Sequence, residues 1–302
     1  MNKFKTGVLI AMATVICSAF TVGCGNETVA PPAPDTEKNE IYGEYGEVKL
    51  AFPAVSDLHF GSVCDAQVRD YYPKSLAKSL EVTGNNIDTV VISGDFTEGF
   101  LENYDTLIQY TIDGVGSKTP MVVSYGNHEG NDKHYQYIQK FGKPIDNVTE
   151  VNGYNFVVIG AHANDTYTAE QAQWLDGQLS AMTKADPDKP VFVVVHHPVY
   201  GTHSSNSGNT ELQSTLEKYK QAFVLCGHEH QKFSDESLWK GEYISFRNSY
   251  MRNETEGQYA LIRVTEKNYI IIEQYSVPYQ GEATHIEGKD WIINLNEFYK
   301  GN

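Results

Sequence analysis

Cysteine is scarce in this chain: there are four in 302 residues, and Cys17 and Cys24 fall in the N-terminal leader. Only Cys64 and Cys226 remain for a folded domain. That excludes a disulfide framework and leaves either one Cys64–Cys226 bridge or two half-buried thiols. Basic residues are also few, 23 Lys and Arg against 39 Asp and Glu, giving a net charge of −16. So acidic a surface excludes DNA or RNA as a held partner, because gripping a phosphate backbone needs clustered cations. Long apolar runs are missing too. The longest, Gly7 to Val22, falls short of the ~20 residues that span a bilayer. There is no internal repeat. What is present is enough for a sizeable core: 40% hydrophobic and 12% aromatic residues, with 20 tyrosines.

The first residues read as a leader. Lys3 and Lys5 precede the apolar stretch, which ends at "TVGC". This is a secretory signal over residues 1–23. It resembles a bacterial lipobox, in which Cys24 is diacylated and becomes the mature N-terminus. Thr21 departs from the usual Leu, and an uncleaved anchor or an ordinary signal is the alternative. Residues 24–46 are acidic, Pro-rich and aperiodic, and read as a lipidated Cys followed by a flexible linker. The expectation is an exported protein anchored to the cell membrane, with a domain over 47–280 and a tail over 281–302 docked on it. Losing residues 1–23 removes two lysines and no acid, leaving 21 basic against 39 acidic side chains, a net −18. The sequons at Asn26, Asn147, Asn164 and Asn253 read as chance.

The domain alternates apolar runs with helical patterns. Residues 50–56, 88–93, 120–125, 154–160, 189–195, 221–226 and 242–246 are short, rich in Val, Ile and Phe, and bounded by turn residues, which predicts buried strands. A hairpin follows around the turn "TEKN". Helices are predicted over 72–82, over 168–182 with a Thr168–Gln171 capping box, and over 210–220 with a Thr210–Gln213 box. Alternation followed by a run of strands predicts a mixed sheet sandwiched by helices. Trp291–Leu295 forms an apolar patch in the tail.

Five of the runs stop at polar motifs. "SDLHFG" gives Asp57 and His59, "SGDFTEG" gives Asp95, and "YGNHEG" gives Asn127, His128 and Glu129. "VHHPVYG" gives His196 and His197, and "CGHEHQ" gives His228 and His230. If these strands share a sheet, their carboxyl ends form one rim, where ligands of open α/β sheets bind. Imidazole and carboxylate are ligands for Mn, Fe or Zn, and no thiolate is offered. An Asp can bridge two such ions, which together can clamp a phosphoryl group and activate a water. Gly94, Gly126 and Gly227 let the backbone turn and approach closely at these motifs.

The series D-x-H, G-D, G-N-H-E, H-H-P and G-H-x-H, in this order at strand ends, resembles the calcineurin-like metallophosphoesterase superfamily over about residues 48–278. "EQAQWLDGQL" is similar to the helix that often separates the third and fourth motifs. The resemblance implies a four-layer α/β/β/α sandwich with two mixed β-sheets and a dimetal site at the strand C-terminal ends. It implies that Asp57, His59 and His230 bind a first metal, that Asp95 bridges, and that Asn127, His196 and His228 bind a second. It makes His128 the general acid, Glu129 its orienting partner and a metal-bound hydroxide the nucleophile. Purple acid phosphatases have Tyr where this chain has Glu98 and Gly where it has His59, which disfavours an iron–tyrosinate centre.

His197 reads as a packing neighbour of His196. Glu98, Cys64 and His162 read as plain loop residues, and Arg247 as a solvated residue on a strand edge. Arg252 reads as Arg247 does, though either would help bind a phosphate beside it, and the loop over 200–211, with His203 and Asn206, is either a substrate contact or a solvated connection. The implied function is hydrolysis of a small phosphorylated substrate, monoester or diester, by two divalent ions (Mn, Fe or Zn). The acidic surface does not oppose this, since bound metal reverses the sign locally. The alternative is a non-catalytic metal- or partner-binding surface lipoprotein. Oligomeric state is left open.

Overall fold

The computed structural model describes residues 43–130, 133–161, 167–199 and 210–301. The leader, Cys24, most of the linker, His162, His203 and Asn206 lie outside these. Among the described residues no helix is long and apolar enough to cross a membrane.

In chain order the elements are β1 (Val48–Val55), α1 (Asp65–Thr83), β2 (Val90–Ile92), α2 (Leu101–Val115), β3 (Met121–Val123), α3 (His134–Phe141), β4 (Asn147–Val151), β5 (Tyr154–Val158), α4 (Ala169–Ala185) and β6 (Val191–Val194). There follow α5 (Thr210–Leu216), β7 (Ala222–Cys226), β8 (Leu238–Lys240), β9 (Ile244–Arg247), β10 (Glu256–Thr265), β11 (Tyr269–Pro278), β12 (Thr284–His285), β13 (Trp291–Asn294) and α6 (Leu295–Lys300). Every expected strand is present. They sort into two mixed sheets, as the resemblance implies and where alternation alone predicts one. The first runs β12-β11-β10-β1-β2-β3, with β13 also on β11; the second runs β4-β5-β6-β7-β9-β8. β1, β2 and β3 are parallel, as are β5, β6, β7 and β9, and the remaining pairings are antiparallel.

Alternation along each strand explains the layers. Phe52, Ala54, Val91, Ile262 and Ile272 of the first sheet meet Phe156, Phe192, Val194, Phe223 and Leu225 of the second in a buried inter-sheet core. The opposite face of the first sheet packs on α1, α2 and α3 through Val68, Tyr72, Leu76, Leu107 and Tyr137. The opposite face of the second packs on α4 and α5 through Leu175, Leu179, Leu212 and Leu216. The result is an α/β/β/α sandwich.

α1 differs from the sequence reading, one helix cap agrees with it, and the tail is built in more deeply than a docked segment. α1 begins at Asp65, not at residue 72, and carries Pro73 inside it. An interior proline costs ~3 kcal/mol or more. Burial of Val68 and Tyr71 on the extra turns offsets it. The 168–182 helix has its capping box, Thr168 accepting from Gln171 N–H and Gln171 accepting from Thr168 N–H. The tail is built into the first sheet: β13 pairs β11, and Ile293 and Leu295 enter the inter-sheet core. Cys64 and Cys226 are both buried thiols, and Cys226 Sγ donates to Phe246 O.

Candidate metal centre

The five polar motifs meet where the carboxyl ends of β1, β2 and β3 face those of β6 and β7. Main-chain N–H groups lace this rim, the first of the following bonds crossing between the sheets and the other two joining motifs within one sheet. His228 N–H donates to Asp57 Oδ2 (3.0 Å), Gly227 N–H to His196 O (2.9 Å), and Asp57 N–H to Gly94 O (3.2 Å). Two glycines make the approach possible. A Cβ on Gly227 would lie 1.7 Å from Ser56 Oγ. A Cβ on Gly94, whose φ is +80°, would lie 2.5 Å from His196 Nδ1.

The backbone is strained at the polar residues themselves. Among the described residues nine non-glycine residues have positive φ, and five of them are Asp57, His59, Asp95, His228 and His230. Of the other four, Asn85 follows the C-cap of α1, Asn152 and Asn268 sit in hairpin turns, where asparagine tolerates this region, and Gln280 sits in the turn after β11. The five site residues have no such turn to explain them. At ~1–3 kcal/mol each, such strain persists only where the surroundings impose it and clusters at functional sites.

The side chains form two sets sharing one carboxylate. In the first, His230 Nε2 lies 3.1 Å from Asp57 Oδ1 and 3.1 Å from His59 Nε2, and His59 Nε2 lies 3.8 Å from Asp95 Oδ2. In the second, His196 Nε2 lies 3.0 Å from Asp95 Oδ2, 3.1 Å from Asn127 Oδ1 and 3.3 Å from His228 Nδ1. Asp57, His59, Asp95 and His196 are buried; Asn127, His228 and His230 are half-buried. The ring of His197 lies 4.2 Å from that of His228, and its N–H, like that of His196, donates to Tyr167 OH.

These residues fit metal ions. Asp57 Oδ1 is buried, and what it faces is a ring nitrogen, His230 Nε2, at 3.1 Å. His196 Nδ1 faces Ser93 O (2.8 Å), and a carbonyl only accepts, so Nδ1 carries the proton and Nε2 turns inward. His59 is fixed likewise, its Nδ1 facing Glu98 Oε1 (3.0 Å). Burial pushes the His59 ring down to about 4, against the pull of Asp95 and Asp57, so it is neutral and able to ligate. Burial also lowers His196, but Asp95 and Asp57 outweigh it and raise the ring to about 10. Burial raises Asp57 and Asp95; the histidines outweigh it and hold both below the usual carboxylate range. Two ionised carboxylates, four imidazoles and one amide, with no thiolate, suit Mn, Fe or Zn.

Two acids differ from the sequence reading. Glu129 does not orient His128. Its carboxylate accepts from the N–H groups of Asp95 (3.1 Å), Gly126 (2.7 Å) and Thr97 (2.9 Å), pinning the loop that carries Asp95. Burial and the charge of Asp95 push Glu129 well above the ordinary range. The residue on His128 is Glu98, whose Oε2 lies 3.0 Å from His128 Nδ1. The signal that could have found it is its spacing, three residues beyond Asp95. Arg247 is not a solvated edge residue. It is 2% exposed and donates to Gln231, Ser234 and Ser237, anchoring the segment after the G-H-x-H motif.

Residues 52–232 match the family described as Calcineurin-like phosphoesterase. Over 178 residues the chain is 25% identical to a 3',5'-cyclic-nucleotide phosphodiesterase of Nostoc sp. (strain PCC 7120), covering 53% of this chain and 62% of that one. Over 133 residues it is 27% identical to purple acid phosphatase 23 of Arabidopsis thaliana, covering 38% and 29%. The chain thus spans less than two thirds of either relative. Among solved structures, purple acid phosphatase PPD1 of yellow lupin superposes with a TM-score of 0.56 at 14% identity, covering 82% of this chain and 54% of that one, a likeness of fold.

Proposed function

The chain belongs to the calcineurin-like phosphoesterase family, and from there we propose that it cleaves a small phosphate ester, monoester or diester, on two divalent cations. One observation carries the reading: the buried Asp95 carboxylate stands between the Asp57–His59–His230 set and the Asn127–His196–His228 set. The first set would hold one cation, the second the other, and Asp95 both. When bound, two such ions neutralise phosphoryl charge and lower the pKa of a water that attacks phosphorus.

The chain's own residues do the rest. His128 N–H donates to Asp95 Oδ1 (2.9 Å), so the shared carboxylate also fixes the backbone that carries the acid. Glu98 accepts from His128 Nδ1, which leaves Nε2 of this half-exposed ring to give a proton to the leaving oxygen. Glu129, through three N–H groups, keeps the Asp95 loop in its strained form.

For location, we propose export and attachment to the cell membrane through Cys24; the support is the charged, apolar leader ending in Gly23–Cys24. The test of function uses the full chain loaded with Mn²⁺, comparing bis-p-nitrophenyl phosphate with p-nitrophenyl phosphate against an Asp95→Ala blank. Cleavage of at least one above the blank is expected. Cleavage of neither would overturn the reading and leave a metal-binding protein.

A further inference from the structure

The loops around this centre expose apolar side chains that the chemistry does not use. Val63 is 89% exposed and Phe100 57%. Val63 lies in the turn after His59, where Ser62 N–H donates to His59 O (3.0 Å). Phe100 lies two residues after Glu98, whose carboxylate faces both His59 and His128. The two loops are laced together: Phe60 N–H donates to Phe96 O (3.0 Å) and Glu98 N–H to Phe60 O (3.1 Å).

Gly99 packs on the main chain of the acid. A Cβ there would lie 3.2 Å from His128 O. Phe100 is the residue that follows, so the chain carrying it adjoins the main chain of His128.

A single exposed apolar residue is ordinary. Phe100 differs in having a cation set on it. Lys133 Nζ lies 5.4 Å from the ring centroid and is held there by donating to Gly99 O (2.8 Å). One face of the ring is thus backed by an ammonium group, while more than half of the residue stays open to solvent. An open aromatic face favours a planar ring stacked on it.

The position says which part of a substrate arrives there. His128 gives its proton to the leaving oxygen, so whatever that oxygen carries lies on the side of His128 where the loop bearing Glu98 and Phe100 packs.

The geometry points to Phe100, backed by Lys133, as a specificity residue that stacks on a planar aromatic ring carried by the leaving group. This rests on the phosphoesterase reading above. A nucleoside and a simple aryl alcohol both supply such a ring.

The test measures inhibition constants against nitrophenyl ester hydrolysis by the Mn²⁺-loaded full chain. One pair is adenosine 5'-monophosphate and ribose 5-phosphate. The other is 2-phenylethyl phosphate and 2-cyclohexylethyl phosphate. In at least one pair the ring-bearing member should bind about fivefold tighter or more, the low end for one stacked ring. A preference in the first pair marks a nucleoside, and one in the second alone marks an aryl group. Phe100→Ala should bring the pair together and Phe100→Tyr should keep them apart, with metal content unchanged in both. Should Phe100→Ala fail to fold, Phe100→Leu, apolar but not planar, replaces it. Equal constants within both pairs would overturn the inference, as would a preference that survives loss of the ring. If the wild type cleaves no nitrophenyl ester, the phosphoesterase reading itself falls and takes this one with it.

Discussion

Glu98 Oε2 lies 3.0 Å from His128 Nδ1, and the other oxygen of the same carboxylate lies 3.0 Å from His59 Nδ1. One acid thus holds both a metal-facing histidine and the proposed proton donor. Glu98→Ala should lower turnover and weaken metal retention by roughly 10–100-fold, the usual scale for losing the partner of a ligating histidine. Glu98→Gln, which can still accept from one ring, should fall in between. Kinetics and metal content measured on the same samples decide it; full activity in Glu98→Ala would contradict the role.

His128→Ala should keep its metal and slow turnover by about a hundredfold or more, the scale for a lost general acid. If metal leaves with the ring, His128 is a ligand instead.

Metal binding should expel a proton. In the metal-free protein His196 is raised to about 10 from its ordinary 6.5, mainly because Asp95 and Asp57 outweigh its burial. Below that value the ring is charged, and a cation arriving at Nε2 must displace the proton, so affinity rises with pH between 6.5 and 10. The same shift sets a stability term for the metal-free fold, complete below 6.5 and lost as pH climbs through 10. Calorimetric titration in buffers of different ionisation enthalpy reads the released proton directly. An unchanged heat across buffers would refute this.

Gly227→Ala should be strongly destabilising, since its Cβ would lie 1.7 Å from Ser56 Oγ and 2.9 Å from Ser56 Cβ. Overpacking of this kind costs about 1–3 kcal/mol, occasionally more. Ser56→Gly in the same chain should recover part of the loss in melting temperature; no recovery would place the strain elsewhere.

Cys24→Ser should release the protein from membranes; unchanged retention in a fractionation would rule out the lipid anchor.

Most of the strand pattern was legible because burial leaves a local trace. The run Ala222–Cys226 is buried throughout, and a run of Val, Phe and Leu says so without any partner. The motif residues were legible because each follows such a run. Which sheet a strand joins is decided by contacts far along the chain, so the division between β3 and β5 was hidden. The same holds for Glu98. In "DFTEG" only the spacing from Asp95 singles out that side chain, and its partners are set once Phe60 and Thr97 pair and bring the β1 and β2 loops together. Arg247 reads as an edge residue locally; only the fold of residues 231–237 over it makes it an anchor. α2 was missed because its buried face mixes Tyr104 and Leu107 with Asn103 and Thr111, which blurs the apolar period.

The division of the centre between two sheets gives a cation there a second effect. Asn127 and His196, which lie 69 positions apart in sequence, would share one ion. Such an ion is a bolt through the open edge of the sandwich, and its binding free energy adds to what keeps the sheets together. Chelation would then do more than silence chemistry. It would loosen a seam, leaving the supply of metal as one gauge of how firmly this protein stays shut.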